Sequence, residues 1–190
     1  MNAELLKSSL NTDKHKLEFP TLEQQQRLAA VLILLVPGVQ GPELVFTQRS
    51  QELPSHAGQI SFPGGSVDDT DNGPIHTALR EAEEEIGLYP ANVEVLGTLE
   101  WYTMPTGFVV LPVVGQLQEI QEFVPEPNEV DDIFTLPLQS LLDPALFQQE
   151  FLIRNNIKRK FYSIEIDGYY IWGATAHMLR SLALKLGQGS

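Results

Sequence analysis

The strongest apolar signal is the unbroken run at residues 29–36, AAVLILLV, closed by Pro37 and Gly38. Such a run predicts a strand buried on both faces. Residues 43–49 (ELVFTQR) alternate and predict a second strand. Residues 59–62 predict a short strand feeding the turn Pro63-Gly64-Gly65. The period then changes. Ile75, Leu79, Ala82 and Ile86 recur at i, i+4, i+7 and i+11, one apolar stripe of a helix. Gly87 suits the left-handed position just past its end, Asn72 or Asp71 suits the N-cap, and Pro74 the first turn.

Beyond this helix, residues 93–102 and 108–117 predict strands joined by a turn at 104–107. Residues 129–136 read as extended and 137–142 as a short helix. Residues 148–153 and 158–166 predict a hairpin around Asn155-Asn156, residues 169–172 a strand, and residues 174–186 a closing helix. Residues 1–27 are polar and mixed, with short helices expected near 3–9 and 22–28. They read as an extension packing on a single domain of residues 28–190. Helices in the middle and at the end of many strands predict an α/β or α+β sandwich with a mixed central sheet and a C-terminal helix.

Composition narrows the function. The chain of 190 residues carries a formal net charge of −13, which argues against nucleic acid or an anionic membrane as partner. It also repels phosphorylated substrates, so a metal and a few local cations must supply attraction. With no cysteine, disulfides, thiolate catalysis and Cys-ligated zinc are excluded. No apolar run is long enough to span a bilayer and the N-terminus lacks a secretory pattern, so a cytoplasmic protein is expected.

The helix also carries the candidate chemistry. Glu81, Glu84 and Glu85 fall within an arc of about 100° on a side away from the apolar stripe. Like charges at this spacing destabilise a helix. A solvated face would mix in lysines, and this segment has none. A hard divalent cation such as Mg²⁺ would neutralise the cluster and share its site with phosphate oxygens. Asp68, Thr70, Asn72 and Gly73 match the opening of a calcium loop, but Leu79 stands where its bidentate Glu belongs, so that reading fails. Arg49 is one of few nearby cations, either with its fork offered to phosphate or paired to one of the many acids. His56 reads as a loop residue. Glu129 reads as a solvated acid, with an extra ligand or base from the opposite side of the cleft as the alternative. Phe108 reads as core, while Trp101 and Tyr102 could pack or stack on a base.

Residues 80–88, REAEEEIGL, resemble the core of the Nudix box, REUxEExGU with U aliphatic. Gly65 would be its opening glycine; the spacing to Arg80 is one residue longer than common, and Asp71 stands for the first Glu. Residues 45–65, VFTQRSQELPSHAGQISFPGG, resemble the signature LLTxRSx3Rx3Gx3FPGG of coenzyme A pyrophosphatases, with Thr47, Arg49, Ser50, Gly58, Phe62, Pro63, Gly64 and Gly65 in register and Pro54 in place of the second basic residue. GFVVLPVVG, NEVDDIFTLPLQSLLDP and IWGATAHMLRSLA are similar to the same family.

The resemblance implies a Nudix-like α/β/α sandwich and hydrolysis of the diphosphate bond of coenzyme A or its acyl or oxidised forms. Glu81 and Glu85 would hold Mg²⁺ or Mn²⁺, with Glu84 as third ligand or general base. Arg80 would orient the glutamates through an ion pair, Glu84 at i+4 being the nearest candidate. Arg49, Ser50, Gly64 and Gly65 would meet the substrate. Other readings are hydrolysis of ADP-ribose, NADH or a dinucleoside polyphosphate, or a silent nucleotide-binding regulatory module. A homodimer is left open.

Overall fold

The computed structural model describes residues 7–12, 20–23, 26–154 and 157–187. Its elements in chain order are β1 (Arg27–Gly38), β2 (Gly41–Arg49), β3 (Ile60–Ser61), β4 (Gly64–Ser66), α1 (Pro74–Ile86), β5 (Val93–Thr98), β6 (Tyr102–Thr103), β7 (Phe108–Leu117), β8 (Val130–Pro137), β9 (Gln148–Arg154), β10 (Ile157–Ile166), β11 (Tyr169–Trp172) and α2 (Gly173–Gly187).

The first eight strands form one mixed sheet with a path β3-β2-β1-β7-β5. β1 runs parallel to β7, from Arg27 opposite Phe108 to Leu35 opposite Gln116. On its other side β1 pairs antiparallel with β4 near its start and with β2 near its end. β8 lies along the far edge of β2. The last three strands form a separate sheet in the order β11-β10-β9.

β1 is central because both of its faces are buried. Ala30, Leu32, Leu34 and Val36 meet Ala78, Ala82 and Ile86 of α1. Ala29, Ile33 and Leu35 belong to the other core with Leu179, Leu182, Ala183 and Leu186 of α2. Side chains alternate across a strand, so one apolar run supplies two cores. The result is the expected sandwich, with α1 on one face and α2 on the other. Among the described residues no helix is long and apolar enough to cross a membrane.

Some local expectations change. Residues 22–28 do not form a helix: 20–23 are not helical, and Arg27 and Leu28 already pair with β7. The expected strand at 93–102 breaks after Thr98 and resumes as β6. The cause is non-local: Leu10 is buried against Gly97, and Asn11 exchanges backbone hydrogen bonds with Thr98 at 3.0 and 3.1 Å. Residues 7–9 are helical, while 1–6 and the turn residues Asn155 and Asn156 lie outside the described residues. The N-cap of α1 is Gly73, with φ 110° and no side-chain cap. Neither Asn72 nor Asp71 fills that place, because Asp71 is engaged elsewhere.

Candidate active site

α1 starts on Pro74 and ends on Gly87, whose left-handed φ of 65° lets its N–H reach the Glu83 carbonyl at 3.0 Å. Its apolar stripe fixes its rotation on the sheet, and that rotation decides where each glutamate points. Glu85 turns inward, its side chain only 4% exposed. Its Oε2 accepts the Gly64 N–H at 3.1 Å, and Arg49 Nη1 stands 3.7 Å from its Oε1. Burial pushes its carboxyl up to about 7, the Gly64 N–H and Arg49 opposing the shift and Glu81 and Glu129 adding to it. Glu81 is half-buried and also raised, by burial foremost, with Arg80 pulling it back. Glu84 is exposed.

Gly64 and Gly65, expected in a turn, instead pair with β1 as part of β4, and they are shaped around these carboxylates. A Cβ on Gly64 (φ 151°) would run into the Ala30 carbonyl oxygen and Val31 Cα of β1. A Cβ on Gly65 would occupy the place of the Glu81 carboxylate. Both glycines therefore make room for protein groups: Gly64 lets β4 lie on β1, and Gly65 seats Glu81.

Arg80 joins the acids together. Its Nη1 donates to Glu84 Oε2 at 2.9 Å, as expected from the i+4 spacing, and its Nη2 stands 3.0 Å from Glu81 Oε1. It also grips Asp71 with two bonds, Nε to Oδ1 and Nη2 to Oδ2, both 3.0 Å, and reaches the Ser66 carbonyl at 3.2 Å. Asp71 first, then Glu81 and Glu84, hold Arg80 firmly charged. Asp71 has a fully buried side chain that also accepts from Thr77 Oγ1 at 2.9 Å, His76 Nδ1 at 2.7 Å and the Asp68 N–H at 2.9 Å. The Arg80 bonds, above all, hold its carboxyl well below the usual carboxylate range.

Arg49 is fixed at both ends of its own peptide unit: its N–H donates to Gln59 O at 2.9 Å and its carbonyl accepts from Gly58 N at 3.0 Å. Ser50 is buried, and its hydroxyl accepts the Glu52 N–H at 3.3 Å within the loop. The Ser50 N–H donates to Glu129 O at 2.9 Å, and Glu126 N–H donates to Glu85 O at 2.9 Å. These bonds set Glu129 across from α1, where it raises both Glu81 and Glu85.

The structure thus brings Glu81, Glu85, Arg80, Arg49, Gly64 and Gly65 together, keeps Glu84 at the solvent side, and turns Ser50 into its loop. Sequence reading prefers a solvated Glu129 over an extra ligand or base across the cleft, and takes Asp71 as a cap or a substitute for the first Glu of the box. Both gain their place from long-range contacts. A signal for Glu129 exists in the sequence, since it directly precedes a strand that pairs with the one carrying Arg49. Of the aromatic residues considered for stacking, Tyr102 lies on the His177 ring at 4.0 Å, Phe108 sits beneath Arg27 at 4.3 Å, and Trp101 packs toward the α1 core.

The donor set is all carboxylate oxygen, which suits a hard divalent cation. Glu81 and Glu129 raise Glu85, Glu84 and Glu129 raise Glu81, and a cation among these carboxylates would relieve that repulsion. Among the described residues no three acidic or imidazole side chains form a ready ligand group, and Arg80 and Arg49 serve as counter-charges to Glu81, Glu84 and Glu85.

Residues 26–155 match the NUDIX domain family. The chain is 40% identical over 187 residues to an uncharacterized Nudix hydrolase NudL of Escherichia fergusonii, covering 95% of this chain and 97% of that protein. It is 42% identical over 161 residues to NudL of Escherichia coli K12, covering 85% and 83%. In fold it resembles the Nudix hydrolase RenU of M. smegmatis (TM-score 0.51, 22% identity, 60% of this chain and 73% of that one). It likewise resembles a C. elegans Ap4A hydrolase (TM-score 0.51, 19% identity, 58% and 80%). With that match spanning most of its length, and with relatives of this identity aligned almost end to end, the chain belongs to the Nudix hydrolase family.

Proposed function

We propose that the protein hydrolyses the diphosphate bond of coenzyme A, or of an acyl or oxidised derivative. The products are 3′,5′-ADP and 4′-phosphopantetheine or its derivative. The observation that carries this reading is the placement of the signature stretch 45–65: it delivers Arg49 to Glu85 and the Gly64 N–H to the same carboxylate.

Glu81 and Glu85 would hold Mg²⁺ or Mn²⁺, with Glu84 completing the set or taking the proton of the attacking water. When bound, the cation neutralises charge on the diphosphate and lowers the pKa of water. Water attacks one phosphorus, the bridging P–O bond breaks, and two phosphate monoesters leave. Arg80 keeps Glu81 and Glu84 oriented and is itself anchored on Asp71. Arg49 offers its guanidinium to a phosphate oxygen. Gly64 and Gly65 position Glu85 and Glu81 beside the diphosphate. The reaction takes place in the cytoplasm.

The test is a panel of coenzyme A, ADP-ribose, NADH and diadenosine polyphosphates with Mg²⁺, with Mn²⁺ and with chelator. Coenzyme A cleaved well ahead of the others, only with metal, is the expected result. Preference for another member keeps the chemistry and overturns the substrate. Tight nucleotide binding without turnover of any member makes the protein a regulatory module instead.

A further inference from the structure

A cleft of about 540 Å³ is lined by the end of β2, residues 57–60 and residues of the β11 segment. Gln48 and Arg49 are consecutive on β2, yet Arg49 faces Glu85 on the α1 side while Gln48 lines this cleft. Its walls are Gln48, Gly58, Gln59, Tyr169, Tyr170 and Trp172, with no charged side chain among its lining residues. In a chain of net charge −13 this is an uncharged, ring-rich recess.

The walls are held in advance. Tyr169 is stacked on Phe134 at 3.8 Å with planes 1° apart. Trp172 meets Phe161 edge-on at 5.6 Å. The Tyr170 hydroxyl donates to Glu150 at 2.8 Å. The Gln59 carboxamide oxygen is paired with His56 Nδ1 at 2.7 Å. The Gln48 carboxamide has no hydrogen bond among the described residues. Fixed walls cost little ordering on binding.

Rings flanked by carboxamides, without charge, suit one ligand chemistry. It is a flat, neutral heteroaromatic ring with both donors and acceptors on its edge. Aromatic faces stack on bases of any kind, and a carboxamide matches the paired donor and acceptor of an adenine edge. The volume falls within the range of small-ligand pockets. We propose that this cleft binds a purine-type nucleobase, carried either by the substrate or by a separate nucleoside. The loop bonds Arg49 N–H to Gln59 O and Gly58 N–H to Arg49 O join the cleft to the residue facing Glu85.

The proposal does not rest on the metal reading, because the cleft and the carboxylates share no side chain. It is tested on the full chain with chelator present, so that no hydrolysis occurs. Tryptophan fluorescence is followed while adenosine, or ribose 5-phosphate as a control, is added. Trp101 and Trp172 are the two tryptophans of the chain. Adenosine gives a saturable change, ribose 5-phosphate none, and Trp172→Phe abolishes the change. Tyr170→Ala and Gln48→Ala each weaken adenosine binding by about tenfold, with unchanged circular dichroism. A flat adenosine titration, or variants that bind like the wild type, overturns the proposal. In the turnover assay, competitive inhibition by adenosine assigns the base to the substrate, and non-competitive inhibition assigns it to a separate nucleoside.

Discussion

Asp71 and Glu85 are two carboxylates at opposite ends of one helix, and both are almost wholly buried. Their surroundings differ in one respect. Asp71 receives bonds from Arg80, Thr77, His76 and the Asp68 backbone, and its carboxyl is held below the ordinary range. Glu85 receives one backbone N–H and a distant arginine, faces two further acids, and is pushed up to about 7. Burial with a full set of partners makes a structural anchor. Burial with too few leaves a group whose charge awaits another ligand. Asp71 thus has the surroundings of an anchor, and the surroundings of Glu85 support its proposed place in the chemistry.

That contrast can be broken in four places. Glu85→Gln should lower kcat by roughly 10²–10⁴-fold with the fold intact, measured with the preferred substrate and saturating Mg²⁺. Near-normal turnover would remove Glu85 from the chemistry. Asp71→Asn should act mainly on stability, costing roughly 3–5 kcal/mol in urea denaturation, because it leaves the Arg80 guanidinium without its main partner. A variant as stable as the wild type would show that Asp71 is no anchor.

The third place is pH. A carboxyl raised on folding binds more protons in the folded state, so it contributes stability below its unfolded value and loses it as pH rises. For Glu85 the window runs from the ordinary value of 4.5 to about 7. Metal-free Glu85→Gln should match wild-type stability near pH 4 and exceed it by about 3 kcal/mol at pH 8. Asp71 has the opposite sign: its contribution is present at neutral pH and disappears as pH falls below the usual carboxylate range. Parallel melting curves for wild type and Glu85→Gln from pH 4 to 8 would contradict the raised value. The smallest effect belongs to Glu84→Gln, which should change stability by no more than about 0.5 kcal/mol, since its pair with Arg80 is exposed. Its turnover then separates a ligand or base from a mere surface acid.

Much of this arrangement could be read from the chain. β1, β7, α1 and α2 declare themselves by unbroken apolar runs or helical spacing closed by glycine. The i+4 pair of Arg80 and Glu84 is local and was expected for that reason. What escaped depends on contacts between distant residues. The break after Thr98 follows from Leu10 and Asn11, far away in sequence. Asp71 reads as a cap because caps are local, whereas its partners come from the helix interior. The two glycines read as space for a ligand, and the structure gives that space to β1 and to Glu81. Spacing places all three glutamates on one arc, but only packing separates the inward Glu85 from the solvent-facing Glu84.

The backbone pairing of Asn11 with Thr98 bears on how molecules of this protein meet one another. β5 terminates the main sheet, and an uncovered terminal ribbon recruits further chains into extended aggregates. Here Asn11 of the same polypeptide bridges to the end of β5 at Thr98, with the Lys7–Glu94 ion pair adding a fastening. Clipping residues 1–12 would bare that border, and the shortened protein would precipitate at concentrations the intact one tolerates.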